Sequence, residues 1–191
     1  LSIKDEIDAK MHEVLMSGSY VQGPMLKKFE AELAQFAGAK YAVGVGNGTD
    51  ALWLAFMALG LGPGDEIITV GNTFFATAEA IWTAGCTAVL VDCDADTRCI
   101  DPEAVRKAVT RRTRAIVPVH YGGQAADLDL LREIADDHGI VLLEDAAQAH
   151  GATFRGKPVG SWGQAGMFSF TPTKNITTGE GSVVTTDDAE L

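Results

Sequence analysis

The chain has little that would tie it to a membrane, a metal or a polyanion. No apolar run approaches the roughly 20 residues of a membrane span. The first residues already mix charged and apolar side chains, which is not the form of a signal peptide. Cysteine is scarce: Cys86, Cys93 and Cys99 are odd in number, and no Cys-x-x-Cys pair occurs. That disfavours a disulfide framework or a zinc site and points to reduced thiols in the cytoplasm. Basic side chains are outnumbered, 15 Lys and Arg against 26 Asp and Glu, for a net charge of -11. Such a chain is poorly suited to nucleic acid or an anionic membrane, and a phosphate ligand would have to rely on backbone amides. Repeats, low-complexity tracts and linkers are missing as well.

What is present suits one α/β domain. The 191 residues are 47% hydrophobic and 21% charged, enough for a packed core and unlike a disordered chain. The sequence opens without Met and closes on Asp187-Asp188-Ala189-Glu190-Leu191, a run that reads as the start of another helix. We therefore expect a piece of a longer protein.

Two helices lead. Ser2 with Asp5 resembles a capping signal, and Ile3, Ile7, Met11, Val14 and Leu15 then share one face up to Gly18. Pro24 opens a second helix with Met25, Phe29, Leu33 and Phe36 inward and Gly38 at its end. From residue 40 strands and helices alternate. Strands are expected at Tyr41–Val45, Glu66–Val70, Thr87–Asp92, Ala115–Val119 and Ile140–Leu143, the last running into Glu144-Asp145. Helices are expected at Thr49–Leu59, Phe75–Ala84, Pro102–Val109 and Leu128–His138, and short strands at Met167–Phe170 and Ser182–Thr186. The first of these helices is apolar almost all round and should be buried. Near-continuous apolar strands separated by helices predict a three-layer αβα arrangement on a mostly parallel sheet, with ligands beyond the carboxyl ends of the strands.

Three segments can carry chemistry. Gly46-Asn47-Gly48-Thr49-Asp50-Ala51 follows a strand and opens a helix, so it offers free N–H groups and a positive dipole end to a phosphate. Thr49 or Asp50 could instead simply cap the helix. The same run fits the dinucleotide fingerprint G-x-G-x-x-A, but no acid stands at the end of the next strand, where Val70 is followed by Gly71-Asn72. In Glu144-Asp145-Ala146-Ala147-Gln148-Ala149-His150-Gly151, a buried strand empties into a turn. Asp145 there would need a cation such as a protonated heterocycle nitrogen, unless it is a helix cap; His150 reads as a packed residue. Lys174 lies in a loop between two short strands, among Thr, Asn and Gly, with Ser169 before it and Gly179-Glu180-Gly181 after. Partly desolvated, it becomes a nucleophilic amine; otherwise it is a surface lysine.

Taken together these motifs resemble the DegT/DnrJ/EryC1/StrS aminotransferases, which have the aspartate aminotransferase-like fold and use pyridoxal 5′-phosphate (PLP). The resemblance rests on Asn47-Gly48-Thr49-Asp50-Ala51-Leu52, Glu144-Asp145-Ala146-Ala147-Gln148, and Ser169-Phe170 with Lys174 and Gly179-Glu180-Gly181. It extends to Gly23-Pro24, Gly62-Pro63-Gly64-Asp65-Glu66 and His120-Tyr121-Gly122-Gly123-Gln124. It implies that Lys174 binds PLP covalently and then moves protons, and that Asp145 pairs with the pyridine nitrogen. Gln148 would lie near the ring and its 3-hydroxyl, and Phe74 would stack on the ring. Gly48, Thr49, Asp50 and Ser169 would hold the phosphate.

The resemblance further implies a PLP-binding large domain over residues 1–191, with residues 1–38 as a helical segment packing on it, and a small C-terminal domain that this chain lacks. A homodimer acting on glutamate and a nucleotide-linked sugar goes with it. Residues 48–52 and 74–79 look more like the branch that aminates a 3-keto sugar. One departure is Gly179-Glu180-Gly181-Ser182 where the family usually reads Gly-Glu-Gly-Gly; Ser182 begins a strand, so little should change. A sugar dehydratase of the same family would carry His at position 174, and a non-catalytic regulatory relative would lack Lys174 or Asp145.

Overall fold

The computed structural model describes residues 3–191. Helix α1 spans Lys4–Ser17 and α2 spans Pro24–Ala37. Strands β1 (Tyr41–Val45), β2 (Glu66–Val70), β3 (Thr87–Val91), β4 (Thr113–Val117) and β5 (Val141–Asp145) then alternate with helices α3 (Gly48–Ala58), α4 (Phe75–Thr83), α5 (Pro102–Ala108) and α6 (Leu128–His138). A small hairpin, β6 (Thr153–Phe154) and β7 (Lys157–Pro158), precedes β8 (Ala165–Ser169) and β9 (Ser182–Thr186). Seven strands form one sheet in the order β1-β9-β8-β5-β4-β2-β3. Neighbours run parallel from β8 through β5, β4 and β2 to β3, while β9 is antiparallel to both β8 and β1.

Side-chain alternation along the central strands sorts the core into two layers. Ile68, Ile116, Leu142 and Phe168 pack with α2, α5 and α6 on one face. Ile67, Val117, Leu143 and Met167 pack with α3 and α4 on the other. Because successive strand residues point to opposite faces, an uninterrupted apolar run is what a sheet covered on both sides requires. Each fully buried Ile, Leu or Phe contributes about 1.5–3 kcal/mol relative to exposure.

Departures from the sequence reading have local causes. The cap expected at Ser2 lies outside the described residues; Ile3 stands at the N-cap of α1 without a side-chain hydrogen bond, and α1 buries none of its residues. In α2, Leu33, Ala34 and Ala37 are buried, but Phe36 is half exposed at the edge of the packed face, with its ring tip near Gly151. Helix α3 is not buried all round, since Leu54 and Met57 face outward. On the edge strands Leu90, Tyr41 and Val43 are exposed too. Residues 187–191 form no helix. The chain turns back at Asp187, whose carboxylate accepts the Lys40 N–H at 2.8 Å.

Candidate active site

A cleft of about 560 Å³ opens at the carboxyl ends of β5 and β8, against the start of α3. Gly48, Thr49, Phe74, Asp145, Gln148, Ser169 and Lys174 all line it. These residues come from four separate parts of the chain, and the parallel strands are what bring them together.

At one end lies the first turn of α3. The helix is capped by Asn47, whose Oδ1 accepts the Asp50 N–H at 2.9 Å. Within the described residues the N–H groups of Gly48 and Thr49 have no internal partner. They point their donors at the cleft together with the hydroxyls of Thr49 and Ser169, and the helix dipole adds about 0.3–1 kcal/mol for an anion there. A Cβ built on Gly48 would come within 3.1 Å of Met167 Cε and 3.5 Å of Ser169 Oγ. Any larger residue would therefore fill the cradle. Asp50 corrects the sequence reading. Its carboxylate accepts from Asn47 Nδ2 at 2.8 Å and it does not line the cleft. It belongs to the cap and not to the ligand-facing surface.

Asp145 ends β5 on the cleft floor and is buried. Its Oδ1 accepts the Ala147 N–H at 3.1 Å, and its Oδ2 accepts the Thr77 hydroxyl at 2.9 Å. Among the described residues it has no ion pair. Burial raises its pKa above the usual carboxylate range; the hydrogen bonds from Ala147 and Thr77 and the nearby Lys174 ammonium oppose that only in part. A carboxylate so placed is short of one cation.

Lys174 sits half-buried where the loop between β8 and β9 crosses the cleft. The loop is tied to itself. Phe170 N–H donates to the Gly181 carbonyl at 2.9 Å, and the Phe170 carbonyl accepts from the Thr178 N–H at 3.0 Å and from the Thr177 hydroxyl at 2.8 Å. Gly181 has φ +141, and a Cβ there would meet Thr178 Oγ1 at 2.9 Å, so this corner needs glycine. Ser182 begins β9 as expected and donates its hydroxyl to the Phe168 carbonyl at 2.6 Å.

On the opposite wall the Gly122 N–H donates to Gln148 Oε1 at 2.8 Å, which leaves the Gln148 amide NH2 free to donate into the cleft. The turn carrying Gly122 hangs on His120. Its Nδ1 accepts the Ala126 N–H at 3.1 Å, so its Nε2 carries the proton and donates to Glu144 Oε2 at 3.0 Å. Glu144, fully buried, also accepts the N–H groups of Gly160 (2.7 Å), Trp162 (2.6 Å) and Gly163 (3.0 Å). Four donors on one carboxylate make it a structural brace behind the site. His150 is packed, as read from the sequence: it stands between Phe168 and Phe170, its ring nitrogens without hydrogen-bond partners, and burial lowers its pKa.

Sequence reasoning missed Asn47 as the cap and Thr73 and Thr77 as neighbours of Asp145. Two signals were available. Asn47 stands three residues before Asp50, the spacing of a cap, and Thr73 and Thr77 are four apart on either side of a helix start.

A three-layer α/β fold with its cleft at the carboxyl ends of parallel strands is the architecture of the large domain of fold-type-I transferases. The chain belongs to the DegT/DnrJ/EryC1/StrS aminotransferase family, which it matches over residues 1–191. It is 48% identical over 190 residues to dTDP-3-amino-3,4,6-trideoxy-alpha-D-glucose transaminase of Streptomyces venezuelae, a match covering 99% of this chain and 50% of that protein. Among solved structures it is similar to DesV of S. venezuelae in complex with a ketimine intermediate, with a TM-score of 0.96 and 48% identity over 99% of this chain and 51% of that one. NtdA of Bacillus subtilis with bound cofactor PMP gives a TM-score of 0.91 at 36% identity, over 98% of this chain and 43% of that one. The chain thus spans about half the length of the proteins it matches.

Proposed function

We propose that the whole protein is a PLP-dependent aminotransferase that moves an amino group from glutamate to a keto group of a nucleotide-linked sugar. The observation that carries this reading is a single cleft holding a half-buried lysine, a buried carboxylate without an ion pair, and the unpartnered first-turn N–H groups of α3. Each matches one end of PLP. The α3 amides with Thr49 and Ser169 would hold the phosphate, and Asp145 would supply the charge opposite the ring nitrogen. Lys174 would provide the covalent link, and the Gln148 amide would donate near the 3-hydroxyl. Phe74, 73% exposed at the cleft mouth, has a free face for an aromatic ring, a contact adding about 0.5–1.5 kcal/mol beyond burial.

When bound, PLP supplies an electron sink that stabilises negative charge next to the transferred nitrogen. The chain's own part is to keep that sink switched on and to move protons. Asp145, ionised opposite a cation, would hold the ring nitrogen protonated. Lys174, the lysine that lines the cleft, would take and return the proton at the reacting carbon. The close walls around Gly48 leave room at the phosphate end only for a residue without a side chain.

Within this reading the acceptor is a 3-keto sugar. Residues 48–52 and 74–79 support that branch, as does the relative whose name denotes a 3-amino sugar. The same reading makes the working enzyme a homodimer, because α1, α3 and α4 leave apolar side chains exposed. Lys174 stands where a dehydratase of the family would carry His, and a regulatory relative would have lost Lys174 or Asp145. Incubating the full-length protein with PLP, glutamate and matched 3-keto and 4-keto nucleotide sugars tests it, with the new amine located by NMR. Amination at C3 is expected. Amination only at C4 overturns the branch, and no amination of either sugar overturns the reading.

A further inference from the structure

The hydroxyls beneath Asp145 form an ordered chain with a direction. Thr73 Oγ1 and Thr77 Oγ1 are 2.7 Å apart, and Thr77 Oγ1 is 2.9 Å from Asp145 Oδ2. Thr77 has a single hydroxyl proton. An ionised carboxylate can only accept, so that proton goes to Asp145, and the proton between the two threonines comes from Thr73. Thr77 is buried within α4, whereas Thr73 lies at the edge of the cleft. The Ala147 N–H fixes the other carboxylate oxygen at 3.1 Å, so the two donors together set the plane of the group. Hydroxyls in such a chain polarise one another toward the anion.

We propose that Thr77 is a positioning residue for the cofactor: its hydroxyl, itself oriented by Thr73, holds Asp145 ionised and in plane for a protonated heterocycle nitrogen. The inference rests on the PLP reading above. Apart from the two donors, the titratable groups facing Asp145 are His120, neutral in its hydrogen-bonded tautomer, and the Lys174 ammonium. Neither is within ion-pair distance, so the hydroxyl is the contact that α4 contributes to keeping the carboxylate charged. Without it Asp145 would take up a proton, the ring nitrogen of bound PLP would give up its own, and the ring would lose a positive charge. The nitrogen joining Lys174 to the cofactor then holds its proton to higher pH, since like charges on one conjugated system oppose each other.

The test uses the full-length protein loaded with PLP. The visible band of the bound cofactor is titrated with pH, and PLP affinity is measured by its restoration after removal of the cofactor. Thr77→Val should raise the midpoint of the band and weaken PLP binding about tenfold or more, the scale of one hydrogen bond to a charged group. Thr77→Ser, which keeps the hydroxyl, should follow the wild type. Thr73→Val should shift the midpoint the same way by less, and it decides the matter should Thr77→Val not fold. Unchanged midpoints in the valine variants overturn the inference while leaving the PLP reading standing. So does a serine variant that behaves like valine, because packing would then explain the effect. A wild-type protein that shows no visible band with PLP overturns the reading beneath it.

Discussion

Helices α6 and α1 are both amphipathic in sequence, and they end in opposite surroundings. α6 buries Leu128, Leu131, Ile134 and Ala135 against the sheet and closes on Gly139 in the left-handed conformation. α1 has a comparable apolar stripe, Ile3, Ile7, Met11 and Leu15, and all four are exposed. Periodicity specifies a face; it does not say what covers it. For α6 the cover is the chain's own sheet. For α1, and for Leu54 and Met57 on α3 and Phe75 and Trp82 on α4, the described residues supply little. The residues lining the cleft sit between these two regimes. They are anchored on the self-sufficient sheet but open toward the uncovered side, which is why we read the working site as one that a dimer completes.

Core substitutions should have the largest effects on stability. Phe168 is fully buried against Gly160 and the His150 ring, so Phe168→Ala should lower the unfolding free energy by roughly 3–5 kcal/mol. Leu131→Ala in α6 should lower it by roughly 2–5 kcal/mol. Denaturant titration of the 191-residue chain checks both. An effect below 1 kcal/mol at either site would mean that the core tolerates loss far better than a close-packed interior should.

Asp145 sets up a smaller effect with a sign that depends on pH. Burial raises its folded-state pKa above the unfolded value. The unfolded chain therefore gives up the proton first as pH rises, and the cofactor-free protein loses stability from the ordinary carboxylate range upward. Asp145→Asn should stabilise the cofactor-free protein at neutral pH, and the gain should vanish as pH falls below that range. The same change should weaken PLP binding by roughly a hundredfold or more, because a buried pair loses one partner. Thermal unfolding across pH without and with PLP measures both. Equal destabilisation by Asn at every pH would refute a raised carboxylate.

The smallest effect on the chain and a clear one on assembly belong to α1. Ile7→Ser should change the stability of the 191-residue chain by no more than about 0.5 kcal/mol, since an exposed side chain gives up little. In the full-length protein the double change Ile7→Ser and Met11→Ser should weaken dimerisation, read by sedimentation velocity. A dimer of unaltered strength would show that something other than the partner covers α1.

Much of the fold was legible because strands and helices here obey their periods. Glu66–Val70, Leu128–His138 and Ser182–Thr186 fall where the apolar pattern places them. The β6–β7 hairpin escaped notice because two-residue strands around Arg155-Gly156 have no period to detect. In the site, Lys174, Asp145, Gly48, Thr49, Gln148, Phe74 and Ser169 stood out by motif, and the sheet brings them to one cleft. Asp50 was misplaced because motif membership does not reveal which way a carboxylate turns. Here the Asn47 amide claims it. Thr77 was invisible for a different reason. Its partner Asp145 is 68 residues away, and only the parallel sheet, in which β4 stands between β2 and β5, brings the start of α4 to the end of β5.

The central claim is that Lys174 is the residue that binds the cofactor. Borohydride reduction of the PLP-loaded full-length protein, followed by peptide mapping, tests it directly. We expect one modified lysine, at Lys174, on the peptide that contains Thr173 and Asn175. Modification at Lys40 or Lys157 instead would contradict the account.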